Sequence, residues 1–320
     1  MSLFILRRLI SFALTLVATS VIVFAVLELL PGNAAQVILG ETATAESIAA
    51  MEEKLGLDQP APLRYARWMG GLLQGQSGIS ISYDTPTAEL MAERMQVTLP
   101  LAVMAMALTV AVALSMGIYA ASQQNKAGDV GVMTLSQLGL ALPNFWLAIL
   151  LILLFAVHLQ WVSAGGFPGW TEDSGGGVWQ ALKALVLPAM ALAAVQTAIL
   201  TRVTRSAVLD TLREDFVRTA RAKGLSRRQV LWGHVLRNAM IPVLTVMGLQ
   251  FGNLITSAIV IENVFVLPGI GRLIFQAIAN RDLIVVRDVV MLLSALVILI
   301  NFAIDVLYAL IDPRLKVAHG

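Results

Sequence analysis

The sequence has no cysteine, three histidines and few charged residues, which make up 13% of its 320 positions. Without cysteine, disulfide bonds, thiolate metal sites and cysteine nucleophiles are excluded. His158, His234 and His319 are too scattered along the chain to suggest a metal site, so we expect neither a metal nor a cofactor in this chain. A soluble protein averages roughly 25% charged residues. The composition therefore argues against an ordinary water-soluble enzyme, and nothing in it indicates a nucleic-acid partner.

Hydrophobic residues, at 58%, dominate instead, in runs of about 20 residues that would cross a membrane as helices. In lipid the backbone must satisfy its own hydrogen bonds, which leaves helices or a closed barrel. Stretches such as 147–157 lack the alternation of polar and apolar residues of a barrel strand. We therefore predict an all-α, polytopic membrane protein with six transmembrane helices. The predicted spans are 9–30, 97–121, 134–157, 184–201, 239–261 and 289–311.

The positions of lysine and arginine predict the orientation. With the N-terminus inside, fourteen of the 22 basic residues are cytoplasmic, nine of them between spans four and five. The positive-inside rule therefore places both termini in the cytoplasm. Arg7 and Arg8 before an apolar run also describe a signal peptide, but the hydrophobic region of a signal peptide has only about 7–15 residues. The longer run at 9–30 favours a retained anchor.

The spans divide the chain into three parts: a transmembrane anchor with an extracytoplasmic segment (1–96), a transmembrane core (97–311) and a cytoplasmic tail (312–320). Around Ile48, Met51 and Leu55 the extracytoplasmic segment shows the apolar spacing of a short amphipathic helix. A second outer segment, 262–288, contains a turn at 268–271 followed by an amphipathic stretch to Asn280, which predicts an interfacial helix.

The cytoplasmic connection 204–238 is the most informative segment. Gly224 suits a helix C-terminus with positive φ. Ser226 with Gln229 three positions later predicts a capping box that begins a second helix, 226–238. Apolar residues at every fourth position before the glycine predict one stripe along a first helix: Val208, Leu212, Phe216 and Ala220.

This connection thus reads as helix, glycine turn and helix on the basic side of the membrane. Small residues beside the turn, Thr219, Ala220 and Ala222, allow close approach of a partner. The alternative is a solvated basic loop held by anionic lipid headgroups.

Polar side chains inside the spans are candidates for a substrate path, because a central carboxylate costs roughly 2.5–3.5 kcal/mol in lipid. The alternative role for each is hydrogen bonding between helices. We favour that alternative for Asp305, which falls in the inner half of span six. The candidates are Asn144, Gln196, Gln250, Asn253 and Asp305.

At the cytoplasmic connection the sequence resembles the permease subunits of binding-protein-dependent ABC importers. Their shared motif begins Glu-Ala-Ala with a glycine after three more residues, and here Arg218-Thr219-Ala220 and Gly224 match it without the leading glutamate. The peptide and nickel branch is more similar, since R-T-A-R-A-K-G stands at 218–224. The resemblance extends to the first-permease type of that branch over nearly the whole chain, through 55–80, 142–155, 237–252 and 264–282.

The resemblance implies a multi-pass permease of the bacterial inner membrane, in contact with its lipid, that moves di- or oligopeptides by alternating access. It also implies a heterodimer with a second homologous permease, two ATPase subunits that bind ATP and Mg²⁺, and an extracytoplasmic substrate-binding protein. The sequence contains no G-x-x-x-x-G-K-[ST] phosphate loop, so we expect the chain itself not to be an enzyme. The residues implied to contact the ATPases are Phe216, Arg218, Thr219, Ala220, Ala222, Gly224, Leu225 and Ser226.

Several alternatives stay open at this point. Relatives that share these motifs carry nickel chelates or glutathione. An ion-coupled secondary transporter would be expected to show a midplane ion site and paired repeats, and neither is visible. A membrane-embedded enzyme would need clustered catalytic groups near one interface.

Overall fold

The structure is a computed structural model that describes residues 2–29, 35, 39 and 43–311, apart from the side chains of 2–5, 54–55, 305 and 307–311. Within this part of the chain it is helical and contains no strand, which confirms the predicted all-α class. The predicted tail, 312–320, lies outside the described residues. The helices are α1 Ser2–Leu29, α2 Ala45–Leu55, α3 Ala61–Leu73, α4 Thr87–Ser122, α5 Ala127–Ala141, α6 Asn144–Leu151, α7 Val178–Leu212, α8 Asp215–Ala222, α9 Arg227–Val230, α10 Leu236–Val264, α11 Ile270–Ala279 and α12 Leu283–Ile311.

Among the described residues, five helical stretches are long and apolar enough to cross a membrane, and a bent pair can supply a sixth. Several helices are longer than the predicted apolar runs, because they also include polar residues at their ends. The predicted run at 97–121, for example, lies within a helix of 36 residues. The five stretches are Leu6–Leu29, Thr87–Ser122, Val178–Leu212, Arg227–Val264 and Leu283–Ile304.

The predicted span 134–157 is not one straight helix. Ala127–Ala141 and Asn144–His158 meet at an angle of 101°. The break falls at Pro143, where Leu142 has φ −95° and ψ 124°. Proline disfavours the α conformation in the residue before it, so the first helix ends there. Beyond Leu151 the second helix widens into a π-helical turn that ends at His158.

Among the described residues, one compact unit consists of Leu99–Leu267 and Ile300–Ile311. At its centre lies α7, which packs against α5, α6 and α10. In the most apolar 18-residue stretch of α7, 61% of the residues are buried, whereas 11% are buried in the corresponding stretch of α1. Fully or nearly buried alanines such as Ala191, Ala193 and Ala198 let neighbouring helices approach α7 closely.

The other compact unit consists of Ser2–Thr98 and Pro268–Leu299. The predicted amphipathic helices are present in it as α2 and α11. Thr44 accepts a hydrogen bond from the Ser47 amide at the start of α2, and Gly56 ends this helix in the left-handed region with φ +68°. The division at 96/97 made from the sequence is a separate statement about membrane topology and stays a prediction.

Two buried aspartates organise this second unit. Asp288 accepts hydrogen bonds from the Trp68 indole at 2.9 Å and from the Thr87 hydroxyl at 2.5 Å. Asp282 accepts from the Ser80 hydroxyl at 2.6 Å. We call Trp68, Ser80, Thr87, Asp282 and Asp288 the carboxylate network. Because their hydrogen bonds join positions about 200 residues apart in the chain, they tie the N-terminal segment to the start of α12.

Candidate functional site

The short helix α8 rests on the first unit through two small side chains. Val217 is 1% exposed and Ala220 is 7% exposed, and both belong to an apolar cluster with Val208 of α7 and Val230 and Val235 beyond the turn. Burial of apolar surface contributes about 25 cal/mol per Å². This contact therefore fixes one face of α8 to the membrane helices and leaves the other face in solvent.

The predicted single stripe along one helix is wrong. The helix α7 ends at Leu212, and α8 begins only at Asp215, after Glu214 has adopted an extended conformation with ψ 148°. This break changes the helical phase, so Val208 is fully buried whereas Phe216 is 39% exposed. The buried face of α8 consists of Val217 and Ala220 instead of Phe216 and Ala220.

The predicted glycine turn is confirmed. Gly224 has φ +86°, and its amide donates a hydrogen bond of 3.0 Å to the Arg221 carbonyl. A Cβ atom at this position would meet no neighbouring atom. The turn therefore requires glycine for its backbone conformation and not for lack of space.

The predicted capping box is confirmed as well. The backbone N–H of Gln229 donates to the Ser226 hydroxyl at 3.3 Å, and the backbone N–H of Ser226 donates to the Gln229 side-chain oxygen at 2.9 Å. The second helix does not end near residue 238, however. After Val230 it passes through a π-helical turn, Leu231–Val235, and continues as α10 to Val264. Because apolar residues continue to pack along this stretch, no loop separates the turn from the membrane span.

The implied ATPase-contacting residues form a largely exposed face. Ala220 is buried beneath it and Leu225 is half-buried. Trp232, which the sequence reasoning missed, is 61% exposed and borders a cleft with Ser226, Arg228 and Gln229. A large aromatic residue within a basic connection was the available signal. We call the exposed residues of this set, together with Trp232, the elbow surface: Phe216, Arg218, Thr219, Ala222, Gly224, Ser226 and Trp232.

A partly buried ion pair joins two helices next to this region. The Arg205 guanidinium on α7 donates to both carboxylate oxygens of Asp129 on α5, at 2.5 and 2.6 Å. The backbone N–H of Asn125 donates a third hydrogen bond to the Asp129 carboxylate at 3.0 Å. A bidentate pair fixes orientation as well as distance, so it holds the start of α5 against the C-terminal half of α7.

The candidate path residues are only partly brought together. Gln196 on α7 and Gln250 on α10 are both buried, and the side-chain amide of Gln250 donates to the backbone carbonyl of Gln196 at 3.2 Å. The side-chain oxygens of both glutamines are buried without a hydrogen-bond partner, as is the Asn144 oxygen beside the bend. Asn253 is exposed, and the side chain of Asp305 lies outside the described residues. Among the described residues, no group of three His, Asp or Glu side chains could hold a metal ion.

Comparison with known proteins adds to this geometry. The family described as "Binding-protein-dependent transport system inner membrane component" matches residues 113–317, and the corresponding N-terminal family matches 1–112. A glutathione transport system permease protein of Salmonella paratyphi A is 40% identical, with 98% of this chain and 98% of the relative covered. A dipeptide transport system permease protein of Alkalihalophilus pseudofirmus is 37% identical, with coverages of 97% and 98%.

A similar fold occurs among solved structures. In an inward facing structure of the MetNI methionine ABC transporter, one chain matches with a TM-score of 0.57 and 17% identity. The match covers 70% of this chain and 96% of that one. At this identity the likeness concerns the fold alone.

Proposed function

This chain belongs to the family of binding-protein-dependent transport system inner membrane components, and from that premise we propose that it imports di- or oligopeptides as half of a permease pair. As an ABC importer permease it is a transport subunit and not an enzyme, and it works with ATPase and substrate-binding partners. We further propose that the second permease is a homologous but different chain. Two ATPase subunits would then bind ATP and Mg²⁺ on the cytoplasmic side.

The elbow surface is the observation that carries this proposal. Val217 and Ala220 hold α8 from below, while Phe216 and Trp232 expose large apolar side chains among basic residues. Exposed aromatic and arginine side chains are enriched at protein interfaces. The surface therefore fits a protein partner better than lipid headgroups alone, and we assign the partner as the pair of ATPase subunits.

The helix that runs from the elbow surface into α10 without a loop suggests how ATP binding would be coupled to transport. ATP binding closes the ATPase subunits and displaces α8, and the helix that begins at Arg227 carries the movement into α10 without an intervening loop. Tilting of α10 against α7 then exchanges an inward-open for an outward-open cavity. The ATPases drive this exchange only to the extent that they bind one of the two states more tightly.

Gln196 and Gln250 are our candidates for polar contacts along the path, because α7 and α10 meet there and two side-chain oxygens lack partners. Asn144, Asn253 and Asp305 stay weaker candidates for the same role. The interhelical hydrogen bond between the glutamines also fits a purely structural role, which a substitution can separate: Gln250→Met would then alter stability without altering substrate preference.

The substrate class follows from the relatives. The dipeptide permease supports small peptides, and the glutathione permease, at similar identity, makes glutathione the second candidate. Both are short peptidic ligands with a free carboxylate. Nickel chelates have no comparable support here. We also propose that both termini are cytoplasmic, that 1–96 and 97–311 form anchor and core, and that the protein resides in a bacterial inner membrane.

The test is uptake by the complete complex in proteoliposomes, with labelled dipeptide outside together with the binding protein. We expect uptake that requires ATP and is unaffected by a protonophore. Uptake driven by an ion gradient, or by this chain without any other subunit, would contradict the proposal. Mass spectrometry of the ligand bound to the isolated binding protein then distinguishes peptides from glutathione.

A further inference from the structure

A basic cavity in the second unit has no role in the transport cycle described above. It has a volume of about 430 Å³ and lies between the end of α1, the helix α3 and the start of α12. Its walls combine apolar side chains such as Phe24 and Leu27 with three arginines, Arg64, Arg67 and Arg287. A cavity that is apolar on one side and basic on the other fits an amphipathic anion.

The arginines are only partly neutralised. Arg64 forms an ion pair with Glu28, and Arg287 donates to Asp288 at 3.2 Å while its guanidinium lies 4.7 Å from the centre of the Trp68 ring. Arg67 is exposed and makes no ion pair within the described part of the chain. Three guanidinium groups against the carboxylates of Glu28 and Asp288 leave one positive charge, which one phosphodiester would balance.

A second observation points to a missing acceptor. The Nε atom of Arg64 is buried and has no hydrogen-bond partner, although a terminal nitrogen of the same side chain is paired. A buried donor without an acceptor costs about 1–3 kcal/mol. The side chain of Arg64 therefore keeps an unused donor at the wall of the cavity, in addition to the unused positive charge.

The cavity also lies at the depth of a lipid headgroup. From Arg8 to Glu28 the helix α1 extends about 30 Å, at 1.5 Å per residue, which equals the thickness of the hydrocarbon core. Between these positions α1 exposes apolar side chains, among them Leu14 and Ile22. Placing Arg8 at one hydrocarbon boundary puts Glu28 and the cavity beside it at the other.

We propose that this cavity binds the headgroup of an anionic phospholipid. The phosphate lies against the side chains of Arg67 and Arg64, and an acyl chain descends along α1 past Leu27 and Phe24. Glu28 and Asp288 keep Arg64 and Arg287 in place, so that the site is formed before the lipid arrives. The bound lipid would thus join α1 to α3 and α12.

Native mass spectrometry of the complex extracted with phosphatidylglycerol, compared with phosphatidylcholine, tests this site. We expect the wild type to retain one phosphatidylglycerol per chain that Arg67→Gln retains about fivefold more weakly, in line with the contribution of one basic residue near a membrane surface. Because Arg67 is exposed, this variant should fold. Arg281→Gln is the matched control, since Arg281 is exposed in the same unit and does not line the cavity.

Adding inorganic phosphate or a dipeptide to the same experiment distinguishes a lipid headgroup from other anions that could occupy the cavity. Retention that is equal in Arg67→Gln and the wild type overturns the proposal. Displacement of the lipid by inorganic phosphate at millimolar concentration would make the cavity a site for free anions, and displacement by a dipeptide would make it a substrate site. Either displacement overturns the lipid assignment. Since transport is not measured, a failure here leaves the proposed import function unaffected.

Discussion

Charged side chains are buried and hydrogen-bonded in the carboxylate network, whereas they are exposed on and beside the elbow surface. Asp282 and Asp288 are 1% and 2% exposed, and each accepts at least two hydrogen bonds from side chains or backbone of its own unit. On α8, the side chains of Arg218 and Asp215 are 80% and 95% exposed, at 3.5 Å from each other. The network is complete within the chain, whereas the elbow surface presents polar groups that nothing in the described chain covers.

This difference separates a structural role from a docking role. Removal of a buried charge leaves its former partners unsatisfied, so changes in the network should lower stability. Removal of an exposed charge costs little stability, so changes on the elbow surface should affect partner binding and leave the fold intact. The two regions can therefore be told apart by measuring stability and transport in the same variants.

The largest effect is expected at Gly224. Gly224→Asp should abolish ATP-dependent uptake without reducing membrane insertion, because it places a negative charge on the elbow surface at a position with φ +86°. Gly224→Asn is the matched control, since asparagine has nearly the same size, tolerates left-handed φ and carries no charge. It should keep most of the uptake measured in proteoliposomes. Equal uptake by the two variants would show that a negative charge on the elbow surface does not affect transport.

A large loss of stability is expected in the carboxylate network. Asp288→Ala removes the acceptor of the Trp68 indole, the Thr87 hydroxyl and the Arg287 guanidinium. The free energy of unfolding in mixed micelles should fall by about 3–5 kcal/mol. Asp58→Ala, at an exposed aspartate of the same unit, should leave it unchanged. A stable Asp288→Ala protein would mean that the network does not hold this unit together.

A pair of identical substitutions on α8 sharpens the comparison within one helix. Ala220 is buried against the apolar cluster, whereas Ala222, two positions later, is exposed. Ala220→Leu should lower the free energy of unfolding by about 1–3 kcal/mol through overpacking. Ala222→Leu should leave stability unchanged and reduce coupling, measured as stimulation of the ATPase by substrate and binding protein. If Ala222→Leu lowered stability and Ala220→Leu did not, the observed orientation of α8 would be wrong.

The smallest effect is expected at Arg218. Its ion pair with Asp215 spans one helical turn at full exposure, and pairs of this kind contribute little. Arg218→Ala should leave the melting temperature unchanged and weaken ATPase association modestly, more so at low salt than at high salt. A clear loss of thermal stability would show that this pair belongs to the fold.

The features that could be predicted from the sequence are those that depend on neighbouring residues. Hydrophobic runs located the spans, and the chemistry of Ser226, Gln229 and Gly224 correctly predicted the cap and the turn. Local patterns did not reveal the break at Glu214, since its neighbours continue a helical repeat. They also did not predict the bend at Pro143, because proline near a span end is compatible with several angles.

The contacts that could not be predicted join distant parts of the chain. Trp68 and Asp288 are 220 positions apart, and Arg205 and Asp129 are 76 apart. Each residue by itself looks like an ordinary interfacial or loop side chain, and only the packing of helices assigns its partner. The same holds for Gln196 and Gln250, whose proximity depends on how α7 crosses α10.

The π-helical turn at Leu231–Val235 lies between the capped start of a helix at Ser226 and its long apolar continuation, α10. A π turn contains one more residue than an ordinary turn, and one residue corresponds to about 100° of rotation around a helix axis. Because the turn absorbs this additional residue, deleting Gly233 alone would regularise the helix and leave the orientation of Ser226 relative to Gln250 nearly unchanged. Deleting one residue between Leu236 and Gln250, in regular α-helix, would instead rotate Ser226 by roughly 100° around the helix axis. The π-helical turn thus accommodates one additional residue without rotating the capped end relative to the long helix that follows.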